Sequence, residues 1–447
     1  MPVISRSVYL LAIVDALIVL FVTMFSFAGY VGAYELLAIS IWALIVYSFM
    51  FYSKGFYTIR NYDFKDIYLL FETVTVSTAI AAIPPAFFGA NLAIIILLII
   101  NAIGIFSLIF ILRFLFQMYT KYFKSVKNVL IVGAGQGGKL IAEEIQSRPE
   151  LGMKVVGFLD DNMNTIEDED SSLPILGLTC DSEAVIKDNN VKIVIIAVKT
   201  RMDSNILTDL VKGIPLGVKV WRMPKFYEKI TNKYLVSKMT VNWLFYDCVR
   251  KKALIYAYVK RFCDIVSSIF IMLVTLPISI IAMIGIKLSD LGPVFFFQTR
   301  IGKFGQPFNM IKFRTMYQDK VEENFDEDLN EVNPDDKRIM PFGRILRKFH
   351  IDELPQMVNV LRGEMSIVGP RPIREEFYYE NRNKIPFWEC RSWVRPGWCG
   401  WQQINVCEPN EEERLEYDLY YIKHRHVLWE FAIMVQYLVK VLFGRCK

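Results

Sequence analysis

The stretch Asp352-Glu353-Leu354-Pro355-Gln356 is the point around which the carboxy-terminal part of the chain is organised. Basic residues surround its two adjacent carboxylates on both sides: Arg338, Arg344, Arg347, Lys348, Arg362, Arg371 and Arg374. Fixed positive charge around an acid pair suits a phosphate ester, a divalent cation and a carboxylate nucleophile. An Asp-Glu pair before proline is also typical of a solvated turn or a helix start, so the pair alone does not separate these interpretations.

The composition of the chain indicates membrane segments. The chain has 447 residues, enough for two or three domains, and 53% of them are hydrophobic with a positive mean hydropathy. Its seven cysteines include no Cys-x-x-Cys pair, and it has only three histidines, so neither a disulfide framework nor a zinc-type site is predicted. Nucleic acid is not expected among its partners.

Four apolar runs predict a transmembrane block within residues 1–120, at 8–28, 36–52, 67–83 and 92–116. The first and third connections contain no Lys or Arg, whereas the second connection and the exit from the fourth run are basic. The positive-inside rule therefore places both ends of the block in the cytoplasm. Asp15 and Glu72 lie inside the runs and are compatible with a transport path or with a packing contact between helices, and we favour the packing contact.

A strand-turn-helix pattern follows the membrane block. Residues 128–138 read Asn-Val-Leu-Ile-Val-Gly-Ala-Gly-Gln-Gly-Gly, so that Gly133, Gly135 and Gly138 match G-x-G-x-x-G. Further buried-strand runs alternate with helical segments, which predicts a Rossmann-like parallel α/β domain over 125–240. Asp160 and Asp161 end the second strand, about where a ribose-binding acid is expected.

The glycine turn indicates a Rossmann-like fold, but it does not by itself indicate an enzymatic activity. No Tyr-x-x-x-Lys pair follows at a suitable place, so dehydrogenase chemistry is not favoured. Two roles for this domain are equally open. It could bind a nucleotide or nucleotide-sugar, or it could have a structural or dimerising role, which would give a homodimer.

A fifth apolar run, at 262–286, opens the third region at 258–447 and contains Pro277. Proline removes a helix hydrogen bond and kinks the helix. Basic residues flank the run on both sides. A helix that enters the membrane, bends at Pro277 and returns keeps both flanks inside, so a re-entrant helix is preferred to a fifth span.

Cations after this run are candidates for binding an anion. Arg300, Lys312 and Arg314 lie among aromatic and apolar residues. On an alternating strand Lys312 and Arg314 share one face, where they could bind a diphosphate, the alternative being a solvated basic edge strand. Two prolines, 370 and 372, pin an extended turn that presents Arg371.

Residues from about 258 to 443 resemble the bacterial sugar transferase family, the polyprenyl-phosphate glycosyl-1-phosphate transferases with a single re-entrant helix. The motifs that carry this resemblance are Lys260-Arg261…Asp264, GPVFFFQTRIG (292–302), KFRTM (312–316), DELPQMVNVLRGEMSIVGPRP (352–372) and RPGWCGW (395–401). With four helices and a nucleotide-fold domain in front, the chain resembles the large members that prime exopolysaccharide, capsule or O-antigen synthesis.

The resemblance implies transfer of a sugar-1-phosphate from a UDP-sugar to undecaprenyl phosphate, giving undecaprenyl-diphosphate-sugar and UMP. It implies that Asp352 attacks the phosphoryl group and forms a phosphosugar-aspartate adduct, and that Glu353 binds Mg²⁺. Phosphate or substrate contacts are implied for a wider set of residues: Arg300, Lys312, Arg314, Arg347, Arg371 and Asp418. The implied location is the bacterial inner membrane, with several spans, lipid contacts, and the catalytic and nucleotide-fold domains in the cytoplasm.

Three positions depart from the pattern of the family. His350 precedes the acid pair where relatives usually have a small hydroxyl residue, and Trp398 and Cys399 are unusual in the Gly-Trp tract. If that tract touches the sugar, these two residues bear on sugar choice.

Two other classes fit the sequence less well. A silent scaffold that senses nucleotide sugars would have a broken acid pair, whereas the pair is intact. A nucleotide-sugar dehydratase or epimerase would need a second dinucleotide domain with a Tyr-x-x-x-Lys pair.

Overall fold

The computed structural model describes residues 6–54, 56, 64–87, 92–123, 126–161, 173–198, 217–236, 254–317, 338–406 and 409–442. The chain divides into two compact units, Met1–Asn232 and Lys233–Lys447.

The first unit begins with the helices α1 (Arg6–Phe27), α2 (Ala33–Ser53), α3 (Phe64–Ala81), α4 (Ile83–Phe87) and α5 (Leu92–Phe123). All four predicted apolar runs are therefore helical. Three stretches are long and apolar enough to cross a membrane: Ala33–Ser53, Ile67–Pro85 and Leu92–Leu115. The apolar part of α1, Leu11–Phe27, is shorter.

Both acids inside the membrane block form ion pairs between helices. Asp15 on α1 pairs with Arg113 on α5, and both side chains are almost fully buried. Glu72 on α3 accepts a hydrogen bond of 2.8 Å from the ammonium group of Lys54, which follows α2. Buried charges need a partner of opposite sign, so these contacts explain the two acids as packing residues.

The α/β part of this unit contains five parallel strands in the order β3-β2-β1-β4-β5. Their bounds are β1 Lys127–Val132, β2 Met153–Leu159, β3 Ile175–Gly177, β4 Val191–Ile196 and β5 Lys219–Arg222. The helices are α6 Gln136–Gln146, α7 Ser182–Asp188 and α8 Met223–Thr231. Central strands rich in Val, Ile and Leu are buried on both faces, as is usual for parallel sheets. The predicted parallel α/β fold is confirmed.

The second unit begins before the predicted end of the α/β domain at 240. Tyr234 is fully buried in the core of the second unit, and its backbone N–H donates to the carbonyl of Glu416 at 3.1 Å. Residues 233–236 therefore belong to the second unit, because their hydrogen bonds and apolar contacts are made there.

The second unit combines a long helix, α9 (Leu254–Ser289), with short strands and helices. The strands are the antiparallel hairpin β6 (Phe295–Ile301) and β7 (Pro307–Phe313), and the parallel pair β8 (Ser366–Val368) and β9 (Gly397–Cys399). The helices are α10 Pro341–Lys348, α11 Gln356–Arg362, α12 Glu375–Lys384, α13 Trp401–Asn405, α14 Glu411–His424 and α15 Val427–Leu442. The main core of this unit includes Met357, Val360, Trp388, Leu419 and Ile433. Leu346 of α10 lies in a second cluster, with Phe313 and Met340.

Helix α9 is continuous through Pro277 and long and apolar enough to cross a membrane. Near its start, Arg261 donates two hydrogen bonds, of 2.6 and 2.7 Å, to carbonyl oxygens at the end of α11. Near its end, Ile286 is buried against Met340 and Phe313. Both ends of α9 thus contact the same unit, whereas side chains in its middle, such as Leu273, are exposed.

Candidate active site

The acid pair lies in a tight turn between α10 and α11. His350 adopts a left-handed conformation with φ of 53°, and a single 3₁₀ turn, Ile351–Glu353, follows it. The proline before α11 has the fixed φ that suits a helix start. This turn directs both carboxylates inward, since Asp352 is 9% exposed and Glu353 is 4% exposed. The pair is therefore not a solvated turn.

Glu353 lies between two cations. Its Oε1 is 3.2 Å from Lys312 Nζ and 3.2 Å from Arg371 Nη2. His350 Nδ1 is 4.0 Å from Oε2. Burial by itself raises the pKa of Glu353, but the charges of Lys312, Arg371 and His350 outweigh it and lower the pKa to about 2. Glu353 is thus a fixed anion.

Asp352 has a different environment. Burial raises its pKa, Lys312 opposes that effect, and the adjacent Glu353 adds to it. None of the residues that the structure describes donates a hydrogen bond to its carboxylate. The oxygens of Asp352 are consequently free to contact a ligand, whereas those of Glu353 are partly engaged.

Positive charge accumulates beside the pair. Arg300 is held by Gln298 Oε1, at 3.1 Å from Nε and 2.6 Å from Nη2, and by the carbonyl of Pro372 at 3.3 Å from Nη1. Burial, followed by the charges of Arg371 and Arg374, lowers the pKa of Arg300 to about 9. Because the cations disfavour one another, an anion bound among them would be stabilised.

Two other predicted phosphate residues, Arg314 and Arg347, have partners outside the acid pair, and the charge of Arg347 also acts on Asp352. Arg314 pairs with Asp290, with 2.7 Å between Nη1 and Oδ2, and Arg347 Nε donates to Thr315 Oγ1 at 2.8 Å. Strand β7 ends at residue 313, so the strand alternation that placed Lys312 and Arg314 on one face does not reach Arg314. The structure therefore separates Lys312 from Arg314: Lys312 contacts Glu353 of the acid pair, and Arg314 pairs with Asp290.

Asp418 is linked to the acid pair only through Arg391 and the Arg371 segment. Its Oδ2 is 2.7 Å from Arg391 Nη2, and the same nitrogen donates to the backbone carbonyl of Arg371 at 3.1 Å. Asp418 therefore supports the segment that carries Arg371. Sequence reasoning missed Arg391, since a lone arginine in the 3₁₀ segment Trp388–Trp393 has no pattern that marks it.

The unusual residues of the Gly-Trp tract are core residues. Cys399 is fully buried, and its Sγ donates to the carbonyl of Ile367 at 3.2 Å. Trp398 is 4% exposed and packs edge-on against Tyr437, with 5.2 Å between the ring centroids. These side chains fill the interior rather than line a surface at which a sugar could bind.

The Lys260-Arg261…Asp264 motif anchors α9 to the second unit. Lys260 Nζ is 3.0 Å from Asp264 Oδ1 and 3.1 Å from Glu430 Oε2. Asp264 Oδ1 also accepts hydrogen bonds of 3.1 Å from Ser366 Oγ and from the N–H of Ile367 on β8. The buried charges are therefore paired and hydrogen-bonded, as the interior requires.

The carboxylates of Asp352 and Glu353 fit Mg²⁺, which usually binds to one or two carboxylates, substrate phosphates and water. The described residues contain no group of three or more His, Cys, Asp or Glu side chains that could hold a metal by themselves.

The glycine turn of the first unit has mostly structural requirements. Gly133 has a positive φ of 103°, and a Cβ on Gly138 would lie 2.0 Å from the carbonyl oxygen of Gly133. A Cβ on Gly135 would meet nothing within 4 Å. Asp160 Oδ2 accepts the N–H of Ala134 at 2.7 Å, and Asp161 accepts hydrogen bonds from the next loop. Of the three motif glycines, Gly133 and Gly138 are required by the backbone of the turn, whereas nothing in the structure requires glycine at 135. The nucleotide-binding and structural interpretations therefore both stay open.

Two protein families match parts of this chain. The family described as bacterial sugar transferase matches residues 255–444, and a CoA-binding domain family matches residues 53–214. An uncharacterized sugar transferase of Bacillus subtilis is 35% identical over 187 residues, which cover 41% of this chain and 87% of that protein. The chain therefore belongs to the bacterial sugar transferase family.

Two relatives have names that specify a reaction. The UDP-N-acetylgalactosamine-undecaprenyl-phosphate N-acetylgalactosaminephosphotransferase of Aeromonas hydrophila is 36% identical over 42% of this chain and 45% of its own length. The UDP-glucose:undecaprenyl-phosphate glucose-1-phosphate transferase of Xanthomonas campestris pv. campestris is 29% identical over 71% of this chain and 67% of its own length. The chain thus aligns with less than half of the Aeromonas protein.

Proposed function

We propose that this protein transfers a sugar-1-phosphate from a UDP-sugar to undecaprenyl phosphate, forming undecaprenyl-diphosphate-sugar and releasing UMP. The observation that carries the proposal is the buried Asp352-Glu353 pair beside Lys312, Arg371 and Arg300. The names of the two relatives support the substrate class. Such a transfer would be the priming step of exopolysaccharide, capsule or O-antigen synthesis.

The proposed chemistry has two steps. A carboxylate oxygen of Asp352 attacks the phosphorus that bears the sugar, the bond from that phosphorus to the bridging oxygen breaks, and UMP leaves. A phosphate oxygen of undecaprenyl phosphate then attacks the same phosphorus and displaces Asp352. Two steps suit one substrate that arrives from water and one that arrives from lipid.

The contrast between the two acids supports their separate roles. Attack requires an ionised Asp352, and the charge of Lys312 favours that form against burial. Glu353 is held ionised by Lys312 and Arg371. Environments that push two carboxyl groups apart in pKa are typical of a pair with divided tasks.

Glu353 would hold Mg²⁺ together with the substrate phosphates. A bound divalent cation would supply charge neutralisation on the diphosphate. The protein's own contribution is that of Lys312, Arg371 and Arg300, which bind and orient the diphosphate so that its negative charge does not repel Asp352.

We also propose that α9 enters the membrane and returns, with the second unit at the cytoplasmic face of the bacterial inner membrane. Supporting this, both ends of α9 contact the same unit while its middle exposes apolar side chains. Lipid phosphate would then reach the acid pair from the membrane surface. A homodimer is compatible with this arrangement and is not required by it.

Turnover of radiolabelled UDP-sugars tests the function. Full-length protein in nanodiscs that contain undecaprenyl phosphate and Mg²⁺ should convert label from at least one UDP-sugar of a broad panel into lipid-soluble product. No product with any member of the panel would overturn the proposal.

The membrane arrangement has its own test. Cysteines introduced at Tyr258 and Leu288, which are 76% and 83% exposed, flank the apolar part of α9. In intact cells both should be protected from an impermeant thiol reagent added outside. Labelling of either position from outside would show that α9 crosses the membrane.

A further inference from the structure

Four of the parallel strands in the first unit have a lysine at their first or second residue. Lys127 and Lys219 are the first residues of β1 and β5, and Lys154 and Lys192 are the second residues of β2 and β4. All four residues are exposed. Because neighbouring parallel strands start at the same edge of a sheet, these lysines form a row along its amino-terminal edge, which we call the lysine edge.

A fifth lysine, Lys229, joins the lysine edge from α8. Lys219 lies in one row with Val129 across the sheet, and Lys127 precedes Val129 by two residues on the same face. Trp221 follows Lys219 by two residues, and Lys229 Nζ lies 4.4 Å from its ring centroid. Burial, followed by the charges of Lys219 and Lys127, lowers the pKa of Lys229. The three lysines are therefore close enough to repel one another.

The positive charge of the lysine edge is not matched by acids. None of its five lysines forms an ion pair with a side chain that the structure describes. Asp188, exposed at the end of α7, precedes β4 near this edge and leaves a clear excess of cations. The opposite edge has Asp160 and Asp161 after β2 instead. The two edges of the sheet thus differ in charge, and the lysine edge suits an anionic partner.

The chain itself keeps the lysine edge close to the membrane. Helix α5 has 32 residues, about 48 Å at 1.5 Å per residue, and a bilayer with its headgroups is about 40–45 Å thick. A membrane-spanning α5 therefore ends near the outer limit of the headgroups. Lys127 follows Phe123, the last residue of α5, by four residues, which can span at most about 14 Å.

We propose that the lysine edge binds the anionic phospholipid headgroups of the membrane face from which α5 emerges. Lysines are attracted to such a surface within about one Debye length, ~8 Å at physiological ionic strength. The six residues of β1 then place the glycine turn about 20 Å away from the lysine edge, on the side that faces water. Lipid binding would thus orient this domain with its glycine turn open to a water-soluble ligand.

The test measures how fast individual lysines are acylated in two lipids. Full-length protein is placed in nanodiscs of phosphatidylcholine alone or of phosphatidylcholine with phosphatidylglycerol, and an amine-reactive ester is followed by mass spectrometry. Lys127 and Lys219 should react about 5-fold more slowly with phosphatidylglycerol, the factor expected for one lysine at an anionic surface. In about 1 M salt, where the Debye length is about 3 Å, this difference should disappear.

A residue at the opposite edge and a pair of variants provide the controls. Lys139, near the start of α6 beside the glycine turn, should react equally in both lipids. Exchanging Lys127→Gln and Lys219→Gln together removes two exposed charges, so that Lys192 should lose most of its lipid-dependent protection. The matched variant Lys139→Gln should leave the protection of Lys192 as it is.

Three results would overturn the inference. Equal acylation of Lys127 and Lys219 in the two lipids would show that the lysine edge does not touch the membrane. Equal slowing of Lys139 would show that anionic lipid acts on the reagent and not on this edge. Protection by inorganic phosphate in phosphatidylcholine nanodiscs would show that the edge binds a free anion. None of these results bears on turnover of UDP-sugars, so the inference and the proposed function fail separately.

Discussion

The acid pair of the second unit and the glycine turn of the first unit both have sequence patterns associated with phosphate ligands, but they use their carboxylates differently. Asp352 accepts no hydrogen bond from the described residues and lies beside cations. Asp160 follows β2 and accepts the N–H of Ala134 in the glycine turn after β1. Free carboxylate oxygens beside surplus positive charge indicate chemistry, whereas a carboxylate that accepts a backbone N–H of a neighbouring turn indicates architecture.

The sharpest way to break this comparison is to neutralise one acid in each region. Asp352→Asn should lower turnover of UDP-sugar on the order of 10³-fold or more, because the proposed nucleophile is removed while the size of the side chain is kept. Asp160→Asn should leave turnover unchanged. Radiolabelled transfer to undecaprenyl phosphate measures both, and full activity of Asp352→Asn would show that the nucleophile is another group.

Asp418→Asn should destabilise the second unit strongly. It leaves the buried charge of Arg391 without its partner, and breaking a buried ion pair from one side costs about 3–5 kcal/mol. The matched substitution in the first unit, Asp161→Asn, affects an exposed carboxylate and should cost much less. Unfolding followed by tryptophan fluorescence compares the two. Equal losses would contradict the assignment of Asp418 as a buried support.

Alanine substitutions at two glycines of the turn should differ in their cost to stability. Gly138→Ala places a Cβ 2.0 Å from a backbone oxygen and should cost about 2–3 kcal/mol through overpacking. Gly135→Ala meets open space and should cost about 0.5 kcal/mol or less. Limited proteolysis of the full-length protein reports the difference. A stable Gly138→Ala protein would mean that the turn has another conformation.

The smallest expected effect concerns Glu416, a buried acid of the second unit away from the acid pair. Burial raises its pKa from 4.5 to about 7, although Lys233 opposes the shift. Between these values the folded state binds more protons than the unfolded state, so stability should fall as pH rises from about 4.5 to 7. Glu416→Gln should reduce the loss in the free energy of unfolding between pH 4.5 and 7 by about 1 to 3 kcal/mol. Denaturation curves at several pH values measure it. An unchanged slope would show that Glu416 is not the titrating group.

Much of the fold followed from local patterns. The four apolar runs, the alternating strands and helices after residue 125 and the glycine turn were all recognisable, because hydrophobic periodicity and glycine geometry act over a few residues. The start of the second compact unit at Lys233 has no local signal of this kind, since Tyr234 is buried in the core of that unit and its N–H donates to Glu416 of α14, far away in sequence.

The sequence by itself determined the acid pair, its basic surroundings, the Pro-Arg-Pro turn and the family, because these are contiguous motifs. Only the tertiary structure decided which cation meets which acid: Lys312 and Arg371 contact Glu353, Arg314 pairs with Asp290, and Asp418 holds Arg391. Ion pairs form between side chains that packing brings within about 4 Å, and that distance depends on the whole fold rather than on spacing along the chain. For the same reason, only the folded chain shows that Arg391 supports the segment that carries Arg371.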